Sequence, residues 1–121
     1  MKAKVLKFED LIVWQNAMDL SVDIYRVLNG CKDYGLKDQI CRASVSVPSN
    51  IAEGFERQYN KEFVQFLYYA KGSIAELRTQ LVIAYKLKYI EKMIFEKLIE
   101  RSRMISAQLF QLIKTRKEKF K

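Results

Sequence analysis

Apolar residues return at alternating steps of three and four along four separate stretches of this chain, with few glycines or prolines to interrupt them. Leu11, Trp14, Ala17, Met18, Ser21, Ile24, Tyr25 and Leu28 make the first stripe; Leu36, Ile40, Ala43, Val47, Ile51 and Phe55 the second. Phe63, Leu67, Ala70, Ile74, Leu77, Leu81 and Ala84 form the third, and Ile94, Leu98, Ile105, Leu109 and Leu112 the fourth. That spacing is the signature of one helix face and is incompatible with the two-residue alternation of a strand. Four glycines and one proline also leave too little material for the many turns of a sandwich or barrel.

Local signals predict the boundaries. Asp10 is a candidate N-cap and Gly30 a candidate stop for the first helix. The second starts after Asp33-Tyr-Gly35 and runs through Pro48, because the apolar phase is unbroken on both sides. Asn60 is a candidate N-cap for a third helix over about 60–88. A short connector near Lys88-Tyr-Ile90 leads to the fourth, whose end is expected to fray. Long helices joined by short loops predict an all-α fold, an antiparallel up-down-up-down four-helix bundle. With 121 residues, half of them apolar, one domain spans 1–121 with short basic ends at 1–7 and 114–121.

Composition removes several chemistries. The chain contains no histidine, so Ser-His and Cys-His nucleophile systems and the Glu-x-x-His pairs of di-metal bundles are excluded. Cys31 and Cys41 form no Cys-x-x-Cys pattern. Glu53 and Glu76 alone make a poor metal site, and no Gly-x-x-x-x-Gly-Lys loop exists. A non-enzymatic protein without metal or cofactor is expected. Charge interrupts the apolar residues of 1–10, and no run reaches the roughly 18 residues of a membrane span, so a cytoplasmic location is expected.

The net charge is +8, of which the two ends carry +7. Lys2, Lys4 and Lys7 precede the first helix; Lys114, Arg116, Lys117, Lys119 and Lys121, against Glu118, close the last. An up-down-up-down topology brings both ends of the chain to one end of the bundle, where these eight residues are expected to form a cluster for the phosphates of RNA or DNA. Solubilising ends on a nearly neutral body are the plainer alternative.

The second helix carries a polar ribbon of Gln39, Arg42, Ser46, Asn50, Glu53 and Arg57, about 100° from its apolar stripe. Such groups either bond neighbouring helices within the bundle or meet a partner. Pro48 frees the carbonyl of Ser44, whose small side chain leaves room for the ring. Gly54 and Gly72-Ser73 read as notches for close helix packing. Apolar residues beside the core stripes, Val64, Tyr68, Ala75, Val82 and Tyr89 on the third helix and Phe95, Ile99, Phe110 and Ile113 on the fourth, make association with further copies of the chain the economical expectation.

Phe8-Glu-Asp-Leu11, Val13-Trp-Gln15, Tyr34-Gly-Leu36, Gln39, Arg42, Ser46, Ser49-Asn-Ile-Ala-Glu-Gly54, Glu62-Phe63, Gly72-Ser73 and Glu76-Leu77 together resemble the 23S rRNA intervening-sequence family of four-helix bundles. The resemblance covers nearly the whole chain. It implies a homo-oligomeric ring, typically a pentamer, with no known catalysis, and a kinship with accessory proteins of diversity-generating retroelements, which bind nucleic acid and a reverse transcriptase. Two functions follow as expectations. One is a non-catalytic accessory protein that contacts RNA or DNA through its basic ends; the other is a scaffold that docks a partner protein.

Overall fold

The computed structural model describes residues 5–120. A short 3-10 turn, Phe8–Asp10, precedes α1 (Ile12–Val27), α2 (Tyr34–Phe55), α3 (Asn60–Lys86) and α4 (Lys92–Lys119). Each helix packs against two others, α1 on α2 and α4 and α3 on α2 and α4, while the diagonal pairs stay further apart. Side-chain pairs fix the directions. Ser21 meets Ser44, Ser46 meets Ser73, and Asn16 and Asp23 of α1 meet Gln108 and Arg101 of α4. The two α1–α4 contacts run in opposite chain directions, and short connections turn each helix back on the one before, so the chain is an antiparallel up-down-up-down bundle.

The four apolar stripes meet along the axis. Leu20, Ile24, Ile40, Ile51, Leu67, Ile74, Leu77, Leu81, Ile105 and Leu109 are fully buried. Burying one such side chain contributes about 1.5–3 kcal/mol, so this core is ample for a chain without a cross-link. In α4 the buried set is Leu98, Ile99, Ser102, Ile105, Leu109 and Ile113, while Ile94 is exposed and Leu112 only partly covered. The inward face thus lies further round the helix than the Ile94–Leu112 stripe indicates, and Ile99 and Ile113 are core rather than surplus surface.

The helix ends differ from expectation in instructive ways. Asp10 belongs to the 3-10 turn and does not cap α1; the turn is fixed by Gln15, whose Nε2 donates to the Glu9 carbonyl at 2.8 Å, and by Phe8 packed edge-on to Trp14 at 5.3 Å. Gly30 lies three residues beyond Val27, with the chain already turned by the Cys31 N–H to Leu28 carbonyl bond. Asp33 caps α2 instead, accepting from the Leu36 N–H at 3.2 Å, which places Tyr34 and Gly35 inside the first turn. Helix α2 continues through Pro48, which is buried.

Asn60 is the first residue of α3, not its cap, because its side chain is engaged elsewhere. At the other end of α3 the Tyr89 N–H reaches the Ala84 carbonyl and the Lys88 N–H reaches Tyr85, both at 2.9 Å. This is a Schellman closure, and Lys88 adopts φ 67° where glycine is usual. The Tyr89 hydroxyl donates to Asp33 at 3.1 Å, tying the α3–α4 connection to the start of α2. That bond raises the Tyr89 pKa above its ordinary value.

Candidate functional site

The register between α1 and α4 sets where the basic C-terminal residues stand. Asn16 level with Gln108 and Asp23 level with Arg101 put Ile12 opposite Leu112. The last two turns of α4 therefore extend about 10 Å past the start of α1 and lie on α3 alone. Residues 114–119 are ordered helix rather than a frayed tail. Asn60 holds them: its Nδ2 donates to the carbonyls of Arg116, at 3.1 Å, and Phe120, at 2.6 Å. The Phe120 carbonyl, past the last turn, thereby gains a donor, and the Arg116 carbonyl, which already accepts from the Phe120 N–H at 3.2 Å, gains a second one.

Arg116 turns inward from this end. Its Nε donates to Asn60 Oδ1 at 2.7 Å, and its guanidinium sits 5.0 Å from the Phe63 ring and 3.8 Å from the Phe120 ring. Burial lowers its pKa from the usual guanidinium value without discharging it. Arg116, expected as a phosphate contact, is thus engaged within the fold by two rings and Asn60.

Lys114 and Lys117 face outward into a groove between α3 and α4. One part of it, 550 Å³, runs from Tyr59, Asn60 and Lys61 past Val64, Gln65 and Tyr68 to Lys117 and Phe120. A second, of 360 Å³, continues through Tyr68, Lys71, Phe110, Ile113, Lys114, Lys117 and Glu118. The rings are largely open, Tyr59 being 62% exposed and Phe110 58%. Lysines stand over two of them: Lys117 Nζ is 5.9 Å from the centre of the Tyr68 ring and 3.5 Å from its hydroxyl, and Lys71 Nζ is 5.4 Å from that of Phe110.

The structure thus gathers some expected residues and leaves others apart. Lys114 and Lys117 share the groove, and Lys119 lies exposed on the last turn. Lys7 is exposed just before the 3-10 turn, which packs on α1 and α2 and not on α4. Lys2, Lys4 and Lys121 lie outside the described residues. Lys61 and Lys71 join the groove although neither is an expected contact. Their signal is present in the sequence, since Lys61, Tyr68 and Lys71 all fall beside the core stripe of α3, but Tyr68 there reads equally well as surplus apolar surface.

The helix-two ribbon divides in the middle. Ser46 Oγ accepts from Asn50 Nδ2 and from Ser73 Oγ of α3, each at 3.1 Å, and Asn50 also donates to the Ser46 carbonyl. This half-buried centre is packing between α2 and α3. Gln39, Arg42, Glu53 and Arg57 are exposed; Arg42 pairs with Asp38, and Arg57 with Glu53 and Glu62 while lying over the Phe66 ring at 4.8 Å. Such exposed pairs add little stability. Deeper in, Ser44 Oγ donates to the Cys41 carbonyl at 2.8 Å, so its contact with Ser21 Oγ, at 3.0 Å, takes the Ser21 proton.

Gly54 is a true notch, since an added Cβ would meet Phe66 Cβ at 2.5 Å. Gly72 is not: it is exposed, with no described atom within 4 Å of such a Cβ. Further along the α3–α4 face lies a 780 Å³ groove floored by Ala75, Val82, Phe95 and Ile99 and edged by Arg78, Arg103, Glu96 and Glu100. Among the described residues no three His, Cys, Asp or Glu side chains are placed to hold a metal ion. Cys31 and Cys41 are both free thiols; burial raises the pKa of Cys41. No described helix is long and apolar enough to cross a membrane.

Comparison with solved structures finds the same architecture in a crystal structure from Bacteroides thetaiotaomicron VPI-5482, described as a protein with unknown function from the S23 ribosomal protein family. The two are 27% identical and superpose with a TM-score of 0.81, covering 86% of this chain and all of that one. No curated protein matches. The family model for the 23S rRNA-intervening sequence protein matches residues 9–111. That span holds the whole bundle except the last turns of α4, and the chain belongs to the 23S rRNA-intervening sequence protein family.

Proposed function

We propose that this protein is a non-catalytic, self-associating accessory protein that binds RNA or DNA through the lysine-rich end of its α3–α4 face. The observation that carries the reading is the groove in which Lys61, Lys71, Lys114 and Lys117 stand against one carboxylate among the lining residues, Glu118. Four cations in one channel attract a polyanion by releasing its counterions. One such site is weak at physiological salt. Assembly into a ring, typically five copies by the family resemblance, repeats it and raises the avidity. The second α3–α4 groove, with its apolar floor and charges of both signs, supports a protein–protein seam.

Anisotropy of labelled RNA and DNA oligonucleotides between about 50 and 200 mM salt tests the reading. Because residues 114–119 are helical, substitution is a cleaner test than deletion. A Lys114→Gln, Lys117→Gln, Lys119→Gln variant is expected to bind at least tenfold more weakly. Equal affinity in the variant, or none in the parent, would sink the proposal. Sedimentation at micromolar concentration is expected to give a multiple of the chain mass, and a strict monomer would remove the avidity argument.

The mixed-charge groove also favours a second reading, a scaffold that docks a partner protein such as a reverse transcriptase. Capture of such a partner that survives nuclease and high salt, from a protein that binds no oligonucleotide, would favour it over the first.

A further inference from the structure

Within the lysine groove, we infer that the ligand is a single strand rather than a duplex, held by stacking of its bases on Tyr68 and Phe110 while Lys61, Lys71, Lys114 and Lys117 take its phosphates. This deepens the preceding reading and rests on it. The argument begins with shape. From the Phe120 end to Phe110 the groove follows ten residues of α4, about 15 Å, which accommodates about four nucleotides at the ~3.4 Å spacing of a stacked strand. Packed helix axes lie about 8–10 Å apart, so the channel between them can hold one backbone along its length, whereas a duplex would touch only its rim.

Chemistry points the same way. A duplex offers proteins its phosphates and base edges, and open aromatic rings have nothing to stack on there. Tyr68 is 46% exposed and Phe110 58%, a placement that wastes apolar surface in the free protein. Each ring has a lysine ammonium near it, at 5.9 Å and 5.4 Å. A base stacking on such a ring brings its own phosphate beside that lysine, so the cation moves from the ring to the anion while remaining in the same groove. Alternating ring and cation along a channel is the arrangement by which single strands are bound without sequence readout.

The test compares single-stranded and blunt duplex oligonucleotides of equal length, with the wild type and with Tyr68→Leu and Phe110→Leu, which keep apolar bulk but remove the π face. The expected result is preference for the single strand, a salt slope near −3 per groove, and a loss of about 5- to 150-fold in single-strand affinity in each variant with duplex binding unchanged. Circular dichroism and sedimentation check that the variants keep their fold and assembly. Equal binding of duplex and single strand, unaffected by either substitution, would overturn the inference and leave the wider nucleic-acid reading standing. No binding of any oligonucleotide by the wild type would overturn both. Dissociation of the assembly by Phe110→Leu would show the groove to be filled by a second copy of the chain, and would overturn the inference as well.

Discussion

Lys88 and Gly54 show how single positions set the closeness and the cost of this packing. Lys88 closes α3 in the left-handed region, where a side chain costs about 1 kcal/mol that glycine avoids. Lys88→Gly is expected to raise the stability by about that amount, read as a higher urea midpoint with an unchanged slope. Gly54 is the opposite case. Its missing Cβ is the space into which Phe66 and Phe63 of α3 fit, so Gly54→Ala is expected to cost about 1–3 kcal/mol through overpacking. Gly54 is legible as a notch because it falls on the inner side of α2. The unusual φ of Lys88 is not, since nothing in the local residue types replaces the glycine that normally marks such a closure.

At the scale of the element, four helices and their core faces can be read from periodicity, and their ends cannot. Periodicity reports which side is buried; an end depends on which polar side chain finds a backbone group first. Asp33 finds the Leu36 N–H, whereas Asn60 leaves its own helix to hold the carbonyls of α4 across the bundle. This partnership, 56 residues apart in sequence, is why 114–119 reads as a frayed tail and is ordered. Asn60→Ala is expected to cost about 1–3 kcal/mol, the worth of three partly exposed hydrogen bonds. The loss should be local: amide exchange should quicken in the last turn of α4 and stay unchanged around the buried Ile105. The same pairing holds Arg116 against two rings and Asn60, a role that its place in a run of basic residues does not reveal.

For the molecule as a whole, charge counting points to one end of the bundle but not to the face that carries the lysine groove. The end is fixed by topology, which follows from four helices and short loops. The surface depends on the register by which α4 outreaches α1, and no property of either helix alone records it. Pro48 carries the last consequence, and it concerns time rather than space. The chain's one proline lies buried in the middle of α2, where its peptide bond is trans. In the unfolded chain roughly 10–30% of molecules hold the Val47–Pro48 bond in the other isomer, and those cannot complete α2 until it isomerises. Refolding is expected to split into a fast majority and a slow minority phase of about tens of seconds; a prolyl isomerase should accelerate the slow phase, and Pro48→Ala should abolish it.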